Sequence, residues 1–239
     1  MTPGRPGRWW MGRFALVAMS LVAVACSELA ADGSGAPGAD EPSSAGPQLT
    51  VLEGHIVGDA DHPGYTVQVP HAWSTEDGKF IVQEGPHVLG LSVWDVGEVP
   101  RNPCHWRGTE TTPGPSVGEL IEALTSQRLR DATAPTDVML AGREGQYLEL
   151  SVPEDLIVTD DSDFRGCDDP GNGHHDFVSW WGKDEGARWQ QVAGQIDRVW
   201  VLDVDGQTLL VDATYSPDTS ASDREELDQV VASLRFAEA

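Results

Sequence analysis

Cys104 and Cys167 stand beside residues that could hold a metal or move protons. His105 follows the first cysteine, and His174, His175 and Asp176 follow the second at short range. Thiolate, imidazole and carboxylate are all zinc donors, yet their spacing here matches no zinc motif. In an oxidising compartment two such cysteines are more often a disulfide, and that reading is favoured. Closing a loop of about sixty residues would stabilise the fold by roughly 4 kcal/mol in the chain-entropy model. Trp94, Trp106, Trp180 and Trp181 are expected as neighbours of such a tie.

A second chemistry is oxygen ligation of calcium. Asp160, Asp161, Asp163, Asp168 and Asp169 crowd one loop, and oxygen-rich loops suit a hard cation. An EF-hand begun at Asp161 would place Asn172 where an acid is needed and Arg165 where an oxygen ligand is needed. A solvated acidic loop is the better reading, with Asp160, Asp161, Asp163, His174 and His175 as the weaker metal alternative. No cofactor is expected.

Nucleophilic catalysis has one formal match, Gly114-Pro115-Ser116-Val117-Gly118. A nucleophile elbow needs a strand before the serine, whereas Thr111-Thr112-Pro113 precedes it. Ser116 with Glu119 instead reads as a helix capping box. Paired carboxylates could be found in almost any chain with 39 acidic residues, so their presence decides nothing. Tryptophan offers the remaining hint. Strand alternation sends the rings of Trp180 and Trp181 to opposite faces. A ring exposed near Trp106 could stack on a sugar or an apolar ligand, although core packing is the better reading for Trp94, Trp106, Trp180 and Trp181.

The N-terminus sets the compartment. Arg5, Arg8 and Arg13 precede the apolar run Phe14 to Ala25, which is too short to span about 30 Å of hydrocarbon and has the pattern of an export signal. The run ends in AVA before Cys26. That junction resembles a bacterial lipobox, with Ala23 where leucine is preferred, and it also fits an ordinary signal-peptidase site. Three cysteines leave one over, and an acylated Cys26 accounts for it while Cys104 and Cys167 pair. Residues 1–25 therefore read as a lipoprotein signal peptide. Residues 26–48, almost all Ala, Gly, Pro, Ser and acid, read as a disordered tether. Its root-mean-square reach of about 25 Å exceeds a Debye length of about 8 Å. The domain would hang beyond the strong field of the membrane, on its outer face; a protein secreted without an anchor is the alternative.

The formal net charge is −24, and the signal carries only basic charges. A nucleic-acid partner would need a basic footprint, and none is present. Residues 49–239 are long enough for one domain with its own core.

The elements that must position these residues can be read in outline. Gly64 to Pro70 alternates as a strand, with Trp73 just beyond its end. Lys79 to Gln83 and Val88 to Val96 read as the next two strands, before a break at Gly97 and Pro100. Val117, Leu120, Ile121 and Leu124 share one helical stripe, in a helical region closed by Pro135. Two strands flank Gly142 to Gly145, and Leu156 to Asp176 is a long acidic loop. DFVSWWG and ARWQQVAG read as strands. Asp205-Gly206 suits a type I′ turn between two strongly β-forming arms. Ser222 and Glu225 are expected to cap a last helix with Leu227, Val230, Val231 and Leu234 buried. The order implies an α+β fold, mostly antiparallel sheet flanked by two helices.

The early Y-x-V-x-V-P-x-x-W strand, the central helix, the GREGQYLEL hairpin arm and the final ASLRF resemble the Mog1/PsbP-type sandwich. More narrowly, SVWDVGEVPRNPCHW and QIDRVWVLDVDGQTLLVDATY resemble a module of uncharacterised actinobacterial lipoproteins. The resemblance spans about Gly64 to Phe236 and implies an antiparallel sheet with flanking helices. It brings no substrate and no catalytic residues. The expected role is a lipid-anchored binding domain of the cell envelope, with a small molecule or an envelope protein as partner. A hydrolase using Asp or Glu with a histidine, and a structural accessory without a small ligand, are the alternatives.

Overall fold

The computed structural model describes residues 48–239 except 84, 86, 87, 160, 161 and 239. The expected signal peptide, Cys26 and nearly all of the tether lie outside the described residues, as do Asp160 and Asp161.

The chain opens with β1 (Thr50–Gly54), β2 (Tyr65–Val69), β3 (Trp73–Glu76), β4 (Phe80–Gln83) and β5 (Leu89–Trp94). Next come β6 (Val96–Pro100), β7 (Glu110–Thr111) and the helix α1 (Val117–Thr125). The middle holds β8 (Asp131–Ala132), β9 (Thr136–Leu140), β10 (Arg143–Ser151), β11 (Val178–Gly182) and β12 (Ala187–Trp189). The last elements are β13 (Ile196–Val204), β14 (Gln207–Tyr215), α2 (Ala221–Ala232) and β15 (Arg235–Phe236).

The central sheet runs β3-β4-β5-β14-β13-β10-β8, with β9 also paired to β10. A three-stranded sheet, β1-β2-β15, and a four-stranded sheet, β12-β11-β6-β7, complete the domain. Every pairing between named strands is antiparallel. This is the α+β class expected, with two helices among the described residues.

Both faces of the central sheet are buried. Leu209, Val211 and Ala213 of β14 join one core with Tyr65, Val67 and Val69 of β2 and with Leu227, Val230 and Val231 of α2. Leu210 of β14 joins the other, with Leu148 and Leu150 of β10, Val199 and Val201 of β13, and Leu120, Ile121 and Leu124 of α1. Each fully buried leucine or valine contributes roughly 1.5–3 kcal/mol over its exposed state. The long apolar runs of β13 and β14 follow from this double burial, which leaves no face needing polar residues throughout.

Helix α1 starts at Ser116, whose side chain accepts from the Glu119 N–H while Glu119 reaches back to the Ser116 N–H. The capping box is present as expected. In α2 the cap is Ser220, accepting from Asp223 N–H, not the expected Ser222 with Glu225. The same three-residue cap spacing also fits two positions earlier, so the motif alone could not choose. α1 also ends ten residues before Pro135. At Ser126 and Leu129 the chain already turns, and Leu129 has φ 61°.

Two further expectations are corrected. Trp73 does not merely lie past a strand end; it begins β3 and pairs with Gln83 of β4. Nor does the strand after Trp94 break at Gly97, although Pro100 does end it. After Asp95 it passes into a different sheet as β6, where Glu98 pairs with Trp181 of β11. Gly97 serves close approach rather than a turn, because a Cβ there would stand 2.6 Å from the Lys183 Cα. Gly58, at φ 90°, is packed as tightly against the Asp95 carbonyl. At this corner Asp95 N–H donates to the Val57 carbonyl at 2.9 Å, and Lys183 N–H donates to the Asp95 carbonyl at 2.8 Å.

Candidate functional site

Cys104 and Cys167, 63 positions apart in sequence, form a disulfide with 4.4 Å between their Cα atoms. Around the bond lies a satellite core of Val152, Phe164 and Phe177, the two phenyl rings meeting at 5.5 Å. Backbone bonds also hold the loop: Asp168 N–H to the Cys104 carbonyl at 2.7 Å, and Val178 N–H to the Pro103 carbonyl at 2.9 Å. The loop is therefore packed and hydrogen-bonded as well as cross-linked.

The polar side chains of this region bond chiefly to one another and to backbone. Asp169 accepts N–H groups from Gly171, Asn172 and Gly173, which hold its carboxyl below the usual range. Asp168 accepts from Arg107 N–H at 2.9 Å and lies 3.4 Å from His105 Nδ1. Asp163 accepts from the His175 N–H at 2.6 Å and lies 2.9 Å from its Nδ1. His174 Nδ1 lies 3.1 Å from Asp176. Among the described residues no three His, Cys, Asp or Glu side chains converge as a metal site. Asp163 and Asp169 are turned to N–H donors of their own loop, and Asp168 to the Arg107 N–H of the loop that carries Cys104.

The four tryptophans fall into two edge-to-face pairs. Trp94 meets Trp180 at 6.0 Å and 87°, and Trp106 meets Trp181 at 5.7 Å and 68°. Trp180 and Trp181 face opposite ways, as alternation requires. Trp94, Trp106 and Trp180 are buried, and Trp181 is half-buried. None of the four joins the satellite core around the disulfide: Trp106 and Trp181 pack with Val178 and Ala187, and Trp94 and Trp180 belong to the core under α1. An open depression of about 300 Å³ is lined by Val88, Val192, Ala193, Ser216, Pro217 and Asp218. None of the four tryptophans lines it.

The cluster that sequence reasoning missed is a buried ionic network between the central sheet and β11-β12. Asp197 on β13 and Asp212 on β14 share the face of Val199 and Leu210. Their register, Asp197 opposite Thr214 and Asp212 opposite Val199, puts them two rungs apart on that face. Arg188 of β12 spans them, with Nη2 3.0 Å from Asp197 and Nε 2.5 Å from Asp212. Arg130 enters from the segment after α1 and donates to Asp197 at 2.8 Å, to the Leu150 carbonyl at 2.8 Å and to Ser179 Oγ at 2.5 Å. The φ of 61° at Leu129 is the local turn just before it. Gln190 donates to Ser179 Oγ and to Asp197, and Gln195 donates to Asp197 and to Thr214 Oγ1. Two arginines face two aspartates, so the cluster balances in charge when both acids are ionised.

The two acids differ. Burial would raise both, but Arg188 and Arg130 outweigh it at Asp197 and hold that carboxyl down at about 2. At Asp212 burial prevails over Arg188 and pushes the carboxyl up to about 7. Asp212 Oδ1, Gln190 Oε1, Gln127 Oε1, Arg130 Nε and Trp180 Nε1 have no hydrogen-bond partner among the described residues. One sequence signal did exist: Asp212 lies inside the apolar run of the second arm of the Asp205-Gly206 hairpin, and Asp197 alternates in step with Val199 and Val201 in the first. The arginine partners of those aspartates could not be read from it.

A smaller pair sits at the corner. Gln207 Nε2 donates to Asp59 at 2.9 Å and to Asp95 at 3.1 Å. This hydrogen bond lowers Asp59, whereas burial raises Asp95. Asp59 also accepts the N–H groups of Asp61 and His62, and Lys183 lies 3.6 Å from Asp95. These bonds fasten the segment after Val57 to the sheet corner.

No known family's model matches the chain, and no curated protein matches it. Among solved structures it is similar to LpqN, described as involved in cell envelope biogenesis of Mycobacterium tuberculosis. That likeness covers 80% of this chain and 92% of that one, at 11% identity and a TM-score of 0.37. It is also similar to the cyanobacterial PsbP protein CyanoP from Synechocystis, covering 85% of this chain and 98% of that one, at 14% identity and a TM-score of 0.35.

Proposed function

We propose that the chain is a lipid-anchored, non-enzymatic binding domain on the outer face of a bacterial cell membrane. The observation that carries this reading is the disulfide between Cys104 and Cys167. Such bonds belong to oxidising compartments, and the pairing leaves Cys26, behind its basic and apolar leader, as the cysteine free for acylation. The attachment proposed is the lipid on Cys26; among the described residues no helix is long and apolar enough to cross a membrane.

The non-enzymatic part rests on how the reactive groups are engaged. Ser116 caps α1, the two body cysteines are paired, and the deepest carboxylates face arginines inside the core. A binding role leaves the ligand, a small molecule or an envelope protein, to be found.

Mass spectrometry of membrane-extracted protein tests the anchor. The expected N-terminal residue is a diacylglyceryl-modified Cys26, and Cys26→Ala should move the protein to the medium. An unmodified Cys26 on a protein already free in the medium would leave the secreted reading in its place. Thermal-shift screening against envelope sugars, lipids and divalent cations tests for the small ligand.

A further inference from the structure

The two acids of the buried cluster are unequally supplied with donors. Asp197 accepts four, from Arg130, Arg188, Gln190 and Gln195, at 2.8 to 3.1 Å. Asp212 accepts one, from Arg188 Nε to Oδ2, and its Oδ1 meets no donor among the described residues. Both carboxylates are sealed from solvent, at 0% and 1% exposure. An ionised carboxylate withdrawn from water needs donors on both oxygens to recover its hydration. Asp197 has them and Asp212 does not. A proton on Asp212 Oδ1 neutralises the oxygen that no donor meets, leaves Oδ2 free to accept from Arg188, and converts an unmatched acceptor into a donor. The unpartnered atoms of the cluster include two further acceptors, Gln190 Oε1 and Gln127 Oε1.

One element has most to gain from opening when that proton leaves. β12 has three residues and lies at the edge of its sheet. Together with the segment that follows it, residues 190–195, it supplies Arg188, Gln190 and Gln195 to the cluster. Its Trp189 is 38% exposed, and Val192 and Ala193 line the open depression. Water therefore stands on the outer side of the segment whose inner side holds Asp212. The charged groups that face Asp212 are Arg188 from β12, Asp197 from β13 and Arg130 from the segment after α1. Ser92 of β5, opposite Asp212 in register, Thr214 of its own strand and Ser179 of β11 are uncharged.

We propose that Asp212 is a buried proton-binding site and that its deprotonation unlatches β12 and residues 190–195 from the central sheet. The domain is then tightest in mildly acidic surroundings and loosens along this edge as the pH rises. The sign follows from burial, which lifts Asp212 to about 7 in the closed state, while water returns it to an ordinary carboxylate in the open one. Opening releases the proton, so the opening equilibrium should grow about tenfold per pH unit between roughly pH 5 and 7 and level off above.

Hydrogen exchange on the full chain, corrected for the intrinsic pH dependence of amide exchange, reads this directly. Amides of 187–195 should lose close to tenfold in protection per pH unit over that window, while the centre of the β13-β14 hairpin stays constant. Asp212→Asn, which mimics the protonated acid, should abolish the slope. Asp212→Glu, which keeps a titratable carboxyl, should retain it. Infrared spectra below pH 6 should show a protonated-carboxyl band that Asp212→Asn lacks. A pH-independent protection in the wild type, or a slope that persists in Asp212→Asn, would overturn the proposal. Should Asp212→Asn fail to fold, the slope in Asp212→Glu together with the wild-type infrared band still decides.

Discussion

Trp94 of β5 and Trp180 of β11 meet edge to face at 6.0 Å, and through that contact the central sheet is joined to the four-stranded one. Both rings are fully buried, but their polar ends differ. Trp94 Nε1 donates to Ser92 Oγ at 2.8 Å, whereas Trp180 Nε1 has no acceptor among the described residues. A buried donor without a partner costs about 1–3 kcal/mol.

Trp94→Ala and Trp180→Ala should therefore both cost about 3–5 kcal/mol, the range for emptying a large aromatic site. The phenylalanine variants separate the two. Trp180→Phe removes an unsatisfied group along with ring volume, so it should be milder than Trp94→Phe by about 1 kcal/mol or more. Urea unfolding of the four variants checks this, and equal losses for the two phenylalanine variants would contradict it.

Asp197 should set the acid limit of stability. Its carboxyl is held at about 2, below the ordinary 3.8. A depressed acid stabilises the fold above its unfolded value and loses that contribution as pH falls through the folded one. On the order of 2–3 kcal/mol should disappear between about pH 4 and 2. Asp197→Asn should lack about one proton of uptake in that window and be roughly 3–5 kcal/mol less stable at neutral pH, because two buried arginines lose their shared partner. Denaturant titrations across the pH range give both numbers.

The disulfide prediction is one of equality. Cys104→Ala and Cys167→Ala should each destabilise by about 2–5 kcal/mol. The double variant should be little worse than either, because all three lack the same bond. The satellite core of Val152, Phe164 and Phe177 should keep the loop folded against the domain in each. Non-reducing peptide mapping that found both thiols free in the native protein would remove the premise.

Leu129 is 46% exposed and sits at φ 61°, a backbone region costing a non-glycine residue roughly 1–2 kcal/mol. Leu129→Gly relieves that strain while giving up little burial, against the larger chain entropy of glycine when unfolded. The variant should be as stable as the wild type or up to about 1 kcal/mol more so. A loss beyond 1 kcal/mol would show that the side chain holds Arg130 in place.

The sequence read the local signals well where one feature of neighbouring residues decided the outcome. Ser116 with Glu119 capped α1 because both halves of the box lie within one turn. Asp205 and Gly206, at φ 55° and 89°, closed the β13-β14 hairpin because few other residues accept that conformation. Trp180 and Trp181 parted to opposite faces because a strand alternates. The α+β class followed from the order of such elements, and the two body cysteines could be paired because they were the two left after Cys26.

What depended on distant neighbours waited for the tertiary structure. The short strands β1, β3, β7, β8 and β15 carry too little pattern to declare themselves, and each exists through its partner. The passage from β5 to β6 looked like a break because Gly97 is a turn residue in most settings. Only the approach of the Lys183 backbone shows why glycine is there. The ionic cluster is the clearest case. Arg130 and Asp197 lie 67 residues apart, and Arg188 and Asp212 lie 24 apart. Periodicity could mark the two aspartates as facing inward, but not which cations would meet them. Charge pairing in a core is settled by which strands the fold brings together, and spacing along the chain does not carry that information.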